Sequence, residues 1–331
     1  MEFTTGGRLE VRITAADTGK RVSVRRLSSS GTPGSLFSDT VGVLTSWDDG
    51  VLSITRKSGE TVRIDESTLV AGKVVPAAPA RRRGPAASFE ELAPVLARAW
   101  QPVESERLGG WTLRAANGFT RRANSVLPLG DPGLPLPDAL GRVRAWYAAR
   151  GLPAYIQTAT GAAGTQERLC ADLDRAGWER EVSAEVRVAG LAPIADLDAD
   201  VSRVRLDRAV DTAWLSRYQR SVTPGEHVLR VLGSGPSVWF ASVPGDGPVP
   251  AAIGRCVVDG RWAGFMAVEV DPARRRQGLA TAVMTALARR ALDEGASAAW
   301  LQVEADNEGA RALYEGQGFT THHSYHHFRS H

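Results

Sequence analysis

Cysteine and lysine are both scarce in this chain. Among 331 residues only Cys170 and Cys256 carry thiols, and neither has a CxxC partner. That excludes a zinc ribbon and a disulfide framework as organising devices. Lysine occurs only at Lys20, Lys57 and Lys73, so arginine carries nearly all the positive charge. The formal net charge is only +3, too small an excess to point to nucleic acid. The one basic run, Arg81-Arg82-Arg83, lies in a Pro/Ala stretch and reads as a solvated linker. Residues 1–7 lack a basic-then-apolar leader, and no apolar run reaches membrane-spanning length. The expectation is a soluble, cytoplasmic protein with no membrane partner. Hydrophobic residues make up 43% of the chain, enough for more than one core.

What is present centres on residues 265–281. Phe265 to Val270 is a largely apolar run that reads as a buried strand, and Pro272 ends it because proline cannot donate to a ladder. From Leu279 the period changes: Leu279, Val283, Leu287 and Leu292 recur at roughly helical intervals. Between them lie Arg274, Arg275, Arg276, Gln277 and Gly278. Free amides at a helix start, a small residue and positive charge together make an anion site.

Arg275-x-x-Gly278-x-Ala280 resembles the Arg/Gln-x-x-Gly-x-Gly/Ala pattern of the GNAT family of acetyl-CoA-dependent N-acetyltransferases. A second segment follows. Ala298 to Glu304 reads as a strand, and Asn307 to Gly316 as a short helix before Gly318-Phe319. It resembles the family's Asn-x-x-Ala-x-x-Leu-Tyr-x-x-x-Gly-Phe signature. Both patterns sit in the predicted strand–loop–helix context that gives them meaning.

Upstream, residues 1–75 read as five short strands, at 9–13, 21–25, 41–44, 51–54 and 61–64, which predict a small closed all-β barrel. The stretch from Val41 to Pro76 resembles the SH3-like domain that precedes an acetyltransferase in some actinobacterial proteins. Residues 76–87 are a linker by composition, and Ser88 with Glu91 forms the capping box of a helix. Residues 88–196 and 200–331 run in the same order of elements. Leu169 to Trp178 overlies Ala310 to Phe319 without a gap, so an internal repeat is expected. In the first copy Leu173 stands where Tyr314 stands, and the proline-rich loop 129–137 replaces the arginine-glycine loop, removing amide donors. The predicted fold class is therefore a tandem α/β GNAT arrangement, a degenerate copy supporting a catalytic one, behind a small barrel. This layout resembles a mycobacterial group described as histone-acetyltransferase-like.

The resemblance implies particular roles. Amides and side chains from Arg275, Arg276, Gln277, Gly278, Leu279, Ala280 and Thr281 would hold the CoA diphosphate. Main-chain groups of Val268, Glu269 and Val270, on a strand that splays from its neighbour, would line the pantetheine arm. Asn307 matches the residue contacting that arm, and Tyr314 matches the general acid. A phenol with pKa near ~10 is comparable to a leaving thiol, so proton donation is feasible. Glu269 and Glu304 are candidate bases acting through water, with the assignment open, because Gly264 and Phe265 stand where some relatives carry a glutamate. Residues Thr223 to His227 lie where the family places its acceptor-side loop. His322, His323, His326, His327 and His331 crowd the C-terminus without a carboxylate or cysteine at ligand spacing, so no metal is expected, and the strand is read as wet with one or two histidines near the acceptor. The expected reaction moves an acetyl group from acetyl-CoA to a primary amine, on a protein lysine or a small molecule. The competing class is a non-catalytic acyl-CoA-sensing or protein-binding module.

Overall fold

The structure, a computed structural model, describes residues 10–27, 37–75, 84–218 and 225–331. Leu9, the Arg81-Arg82-Arg83 run, and Thr223 and Pro224 of the acceptor-side segment lie outside the described residues. The chain divides into two compact units, residues 1–80 with 158–178, and residues 81–157 with 179–331.

The first unit holds β1 (Arg21–Leu27), β2 (Phe37–Asp48), β3 (Val51–Thr55), β4 (Thr61–Asp65) and β5 (Leu69–Val74). They form one antiparallel sheet in the order β4-β3-β2-β1-β5. Alternating residues (Val22, Val24, Leu44, Leu52, Ile54, Ile64) bury on one side with Ile13. The predicted closed barrel is corrected here. Among the described residues β4 and β5 are the two edges and do not pair, so the sheet is open. The count of five survives through a substitution: residues 10–13 make only a bridge from Val11 to Gly72, and β5 supplies the fifth strand.

In the second unit α1 (Phe89–Arg98) starts with the capping box, Glu91 N–H donating to Ser88 Oγ at 3.1 Å and Ser88 N–H to Glu91 Oε2 at 2.8 Å. A small sheet follows, β6 (Glu104–Leu108), β7 (Trp111–Ala115) and β8 (Leu127–Pro128). Residues 118–125 form a turn and a short 3-10 segment, Arg121–Ala123, and extended pairing resumes only at the Val126 bridge and β8. Positive φ at Asn117, Gly118 and Thr120 breaks the extended run. Next come α2 (Leu136–Ala148) and β9 (Tyr155–Thr160); α3 (Glu167–Arg175) belongs to the first unit, and the second resumes with β10 (Glu179–Gly190) and α4 (Leu191–Ala195). Then come β11 (Arg205–Asp207), α5 (Thr212–Arg217), α6 (Glu226–Leu232), β12 (Ser237–Val243), β13 (Ala252–Asp259) and β14 (Trp262–Val270). The chain ends with α7 (Leu279–Asp293), β15 (Ala298–Glu304), α8 (Glu308–Gly316) and β16 (Thr320–Arg329).

The eight-stranded sheet runs β11-β12-β13-β14-β15-β10-β16-β9. Within it β14 and β15 run parallel. Strands far apart in sequence interleave here: β10 lies between β15 and β16, and β16 lies between β10 and β9. One face of the sheet packs with α1, α6, Trp100, Trp214 and Tyr218. The other packs against α7 and α4.

Candidate active site

The site begins where two neighbouring strands part. β14 and β15 pair from Trp262↔Ala298 to Phe265↔Leu301 and no further, although β14 continues to Val270 and β15 to Glu304. Each arm is pinned on its outer side. β13 holds β14 as far as Ala252↔Val270, and β10 holds β15 as far as Ala184↔Glu304. A bulge makes the split: Ile253 pairs with Glu269 but Arg255 with Met266, which leaves one extra residue on β14. Ala267 carries it at φ +51°, a conformation that costs about 1–2 kcal/mol for a residue with a Cβ. At the apex of the V, Gly264 has no room for a side chain, because a Cβ there would lie 2.3 Å from the Trp300 indole. That contact explains why no glutamate stands at Gly264.

Beyond β14 the chain turns into the loop of three arginines. Asp271 organises it: Oδ1 accepts from Ala273 N–H at 2.9 Å, and Oδ2 takes the Arg217 guanidinium at 2.6 Å. Arg274 pairs with Asp246. Arg276 at φ +64° and Gly278 at φ +77° curl the backbone into α7, whose N-cap Gly278 offers no side-chain oxygen. Ala282 N–H is bonded to the Gly278 carbonyl at 2.9 Å, so the amides of Leu279, Ala280 and Thr281 precede the helix ladder. They open on the positive end of a 15-residue helix.

A cavity of about 1100 Å³ joins the cradle to the V. Val268, Glu269, Val270, Arg275, Arg276, Gly278, Leu279, Ala280, Thr281, Glu304, Asn307 and Tyr314 all line it. Gln277 does not, whereas Arg274 does. The Asn307 carboxamide oxygen caps α8 by accepting from Ala310 N–H at 3.1 Å, leaving its NH₂ for the cavity. Tyr314 is half-buried, edge-on to Phe319, and among the described residues its hydroxyl has no partner. Burial pushes the phenol up to about 12, so the proton stays on at neutral pH.

The cavity passes through the sheet. Tyr314, Val268 and Val303 belong with the α7 face. Glu269 stands opposite Ile253, and Glu304 opposite Ala184, both in the other layer. Residues that face each other across paired strands share a side, so both carboxylates emerge on the face away from Tyr314. Around them, the far wall comes from His327, one of the C-terminal histidines, and from residues that motif reading missed: Trp100, Thr120, Arg121, Arg122, Tyr218 and Tyr325. They come from distant parts of the chain and carry no local pattern. Two have a signal visible only in three dimensions. Arg122 Nε and both ring nitrogens of His327 are buried with no hydrogen-bond partner among the described residues.

The C-terminal strand is not wet. His323, His326 and His327 are buried: Phe89 of α1 lies edge-on to His323, Tyr155 and Tyr325 lie edge-on to His327, and Ser183 Oγ is 2.8 Å from His326 Nδ1. Burial pushes the imidazoles down, His323 to about 3 and His326 to about 4, with His327 also well below its ordinary value. Among the described residues no group of three His, Cys, Asp or Glu side chains is placed to hold a metal ion.

A sheet splayed between parallel strands, over a glycine-capped helix start, defines the class: this is a GNAT-type N-acetyltransferase. The family model described as "Probable histone acetyltransferase Rv0428c C-terminal" matches residues 87–328, and the chain belongs to that family. The probable histone acetyltransferase Rv0428c of Mycobacterium tuberculosis is 29% identical over 306 residues, covering 92% of this chain and 93% of that protein. The uncharacterized N-acetyltransferase YobR of Bacillus subtilis is 25% identical over 239 residues, covering 70% of this chain and 94% of its own length. Among solved structures, a GCN5-related N-acetyltransferase from Kribbella flavida superposes with a TM-score of 0.55 at 17% identity, over 74% of this chain and 96% of that one, a likeness of fold. No helix among the described residues is long and apolar enough to cross a membrane.

Proposed function

We propose that the chain transfers an acetyl group from acetyl-CoA directly to a primary amine, with donor and acceptor meeting in the V between β14 and β15. One observation carries this reading: the amide cradle, the unpaired strand arms and the Tyr314 hydroxyl all line a single cavity. Amides from Arg276 to Thr281 hold the diphosphate, with Arg275 and Arg276 adding charge. Backbone groups of Val268, Glu269 and Val270, lacking a ladder partner on that side, pair with the pantetheine amides. An N–H of the bulge polarises the thioester carbonyl. The Asn307 NH₂ contacts the same arm.

Tyr314 donates its proton to the departing thiolate. The same burial that raises the phenol also disfavours the bare thiolate, so the transfer is not opposed by mismatched surroundings. On the opposite face Glu269 and Glu304 flank the incoming amine. Either takes a proton from it through water, since an alkylammonium with a pKa of about 10.4 is almost wholly protonated at neutral pH. The amine nitrogen forms the new C–N bond as the C–S bond breaks. Two protons leave the ammonium nitrogen on the carboxylate side, one before attack and one as the amide forms; one passes to solvent, and the other balances the proton that Tyr314 gives to sulfur, the phenolate being reprotonated from water.

Calorimetry with acetyl-CoA, followed by free-thiol release with an amine panel, tests this. Saturable binding with amine-dependent thiol release is expected. Binding without turnover across the panel assigns the chain to acyl-CoA sensing instead. Absence of binding removes the cradle from the account altogether.

A further inference from the structure

The face that receives the acceptor holds a cation, Arg122, that makes no ion pair with an acidic side chain among the described residues. Arg121 is paired: its guanidinium lies 3.2 Å from Glu181, which also takes Arg329 at 3.0 Å and the Tyr155 hydroxyl at 2.9 Å. Arg122, the next residue, has no acidic partner among the described residues, and its Nε is buried without an acceptor. Its guanidinium lies 5.3 Å from the centroid of Trp100, in the wall of the cavity. Trp100 is itself fixed, donating from Nε1 to Thr120 Oγ1 at 2.9 Å, with Arg255 over the same ring at 5.1 Å.

No acid behind this wall cancels the charge. Buried Arg114 bonds only neutral acceptors, the Ser125 carbonyl and hydroxyl and Gln157 Oε1. Buried Arg255 bonds the carbonyls of Leu232 and Ser234. An unpaired guanidinium edge in such a site costs free energy unless a bound group completes it. An oxyanion does so best, through the planar fork of donors. The cavity's own carboxylates, Glu269 and Glu304, stand on the arms of the V instead, where an ammonium would enter. The acceptor site is therefore bipolar.

We propose that Arg122, stacked on Trp100, is a subsite for an oxyanion on the acceptor, so that the substrate class is a small primary amine that also carries a carboxylate or phosphate. This rests on the acetyl-transfer reading. It sets the chain apart from an enzyme for a lysine among other lysines and arginines, whose flanking cations would meet Arg122 unfavourably.

The test uses the full chain and matched acceptor pairs: amino acids against their carboxamides, an aminoalkyl phosphate against the neutral amino alcohol, and a lysine-rich histone-tail peptide. Thiol release is expected to show kcat/KM at least tenfold higher for the anionic member of one pair, and which pair responds separates carboxylate from phosphate. In Arg122→Gln that ratio falls to near one while the affinity for acetyl-CoA, measured by calorimetry, is unchanged. Arg122→Lys keeps part of the preference and controls for folding. A preference for neutral amines or the cationic peptide overturns the proposal, as does a preference that survives Arg122→Gln. So does acetyl-CoA binding with no turnover of any anionic amine. Loss of acetyl-CoA binding in the wild-type chain would instead strike the acetyl-transfer reading beneath it.

Discussion

Three single positions bear most of the chemistry and most of the strain. Tyr314 has a hydroxyl free to act and a pKa of about 12, which keeps its proton on across the physiological range. Tyr314→Phe removes the donor and keeps the ring against Phe319. It is expected to lower kcat by about 10²-fold or more, a usual worth for a general acid, with acetyl-CoA affinity little altered. Equal losses in affinity and kcat would show a packing role. Gly278 tests the cradle. A Cβ there meets nothing within 4 Å, so the space is open, but φ +77° disfavours any side chain and a carboxylate would occupy the anion site. Gly278→Glu should abolish calorimetric acetyl-CoA binding while leaving the protein folded by circular dichroism. Gly264 tests the apex. With Trp300 2.3 Å from a built Cβ, Gly264→Ala must displace a fully buried indole. Overpacking of this kind costs roughly 1–3 kcal/mol, to be read as a lower urea midpoint.

At the scale of the element, β16 links burial to pH. His322 Nε2 faces the Ala87 carbonyl at 2.9 Å, so that nitrogen carries the hydrogen. Its Nδ1 then accepts, at 2.8 Å, from His323 Nδ1. Desolvation, reinforced by neighbouring His322 and His326, holds His323 neutral to about pH 3, and desolvation with Arg180 holds His326 neutral to about 4. In the unfolded chain both would titrate near ~6.5. Between those limits the unfolded state binds more protons, so stability is complete above the unfolded value and falls as pH drops below it. His323, His326 and His327 together give a slope of up to about 4 kcal/mol per pH unit. Urea midpoints should therefore fall steeply from pH 7 to pH 5. A flat profile over that window would mean these rings are hydrated.

The same strand shows where sequence reading runs out. Its alternation is compatible with one wet face. It is dry because residues remote in sequence, Phe89 on α1 and Tyr155 on β9, pack on its histidines, and no local pattern records them. By contrast the arginine-glycine loop and the Asn307–Phe319 segment were legible, because strand, turn and helix cap are all written within a few neighbouring residues. The splay was expected from family likeness, but its cause, an alanine at positive φ, leaves no mark in the sequence. Arg122 illustrates the same limit. It sits in a stretch that reads equally well as a strand, and its importance lies in what fails to surround it. The open N-terminal sheet was missed because five short strands fit closed and open arrangements alike; only the pairing partners distinguish them.

For the whole molecule, the interleaving of β10 and β16 decides what can be separated. Residues 200–331 contain the cradle, both arms of the V and Tyr314, yet lack β10, which seals the outer edge of β15 and carries one flank of β16. Expressed alone, that fragment loses β9 as well, leaving the outer edge of β15 and both flanks of β16 without partners, and is expected to aggregate. Coexpression with residues 84–199 should return soluble, acetyl-CoA-binding material, scored by size-exclusion chromatography. A soluble, ligand-binding fragment by itself would show that the interleaved strand is dispensable.

The interleaving also sets a schedule for the ribosome. β10 ends at Gly190 and its last partner ends at Arg329, so 139 residues (329 − 190) must still be made after β10 is complete. At roughly 5–20 residues per second, the nascent chain carries a strand with an unpaired flank for on the order of 10 s. Chaperone dependence during synthesis, and intolerance of premature stop codons even in the final ten residues, follow from that delay.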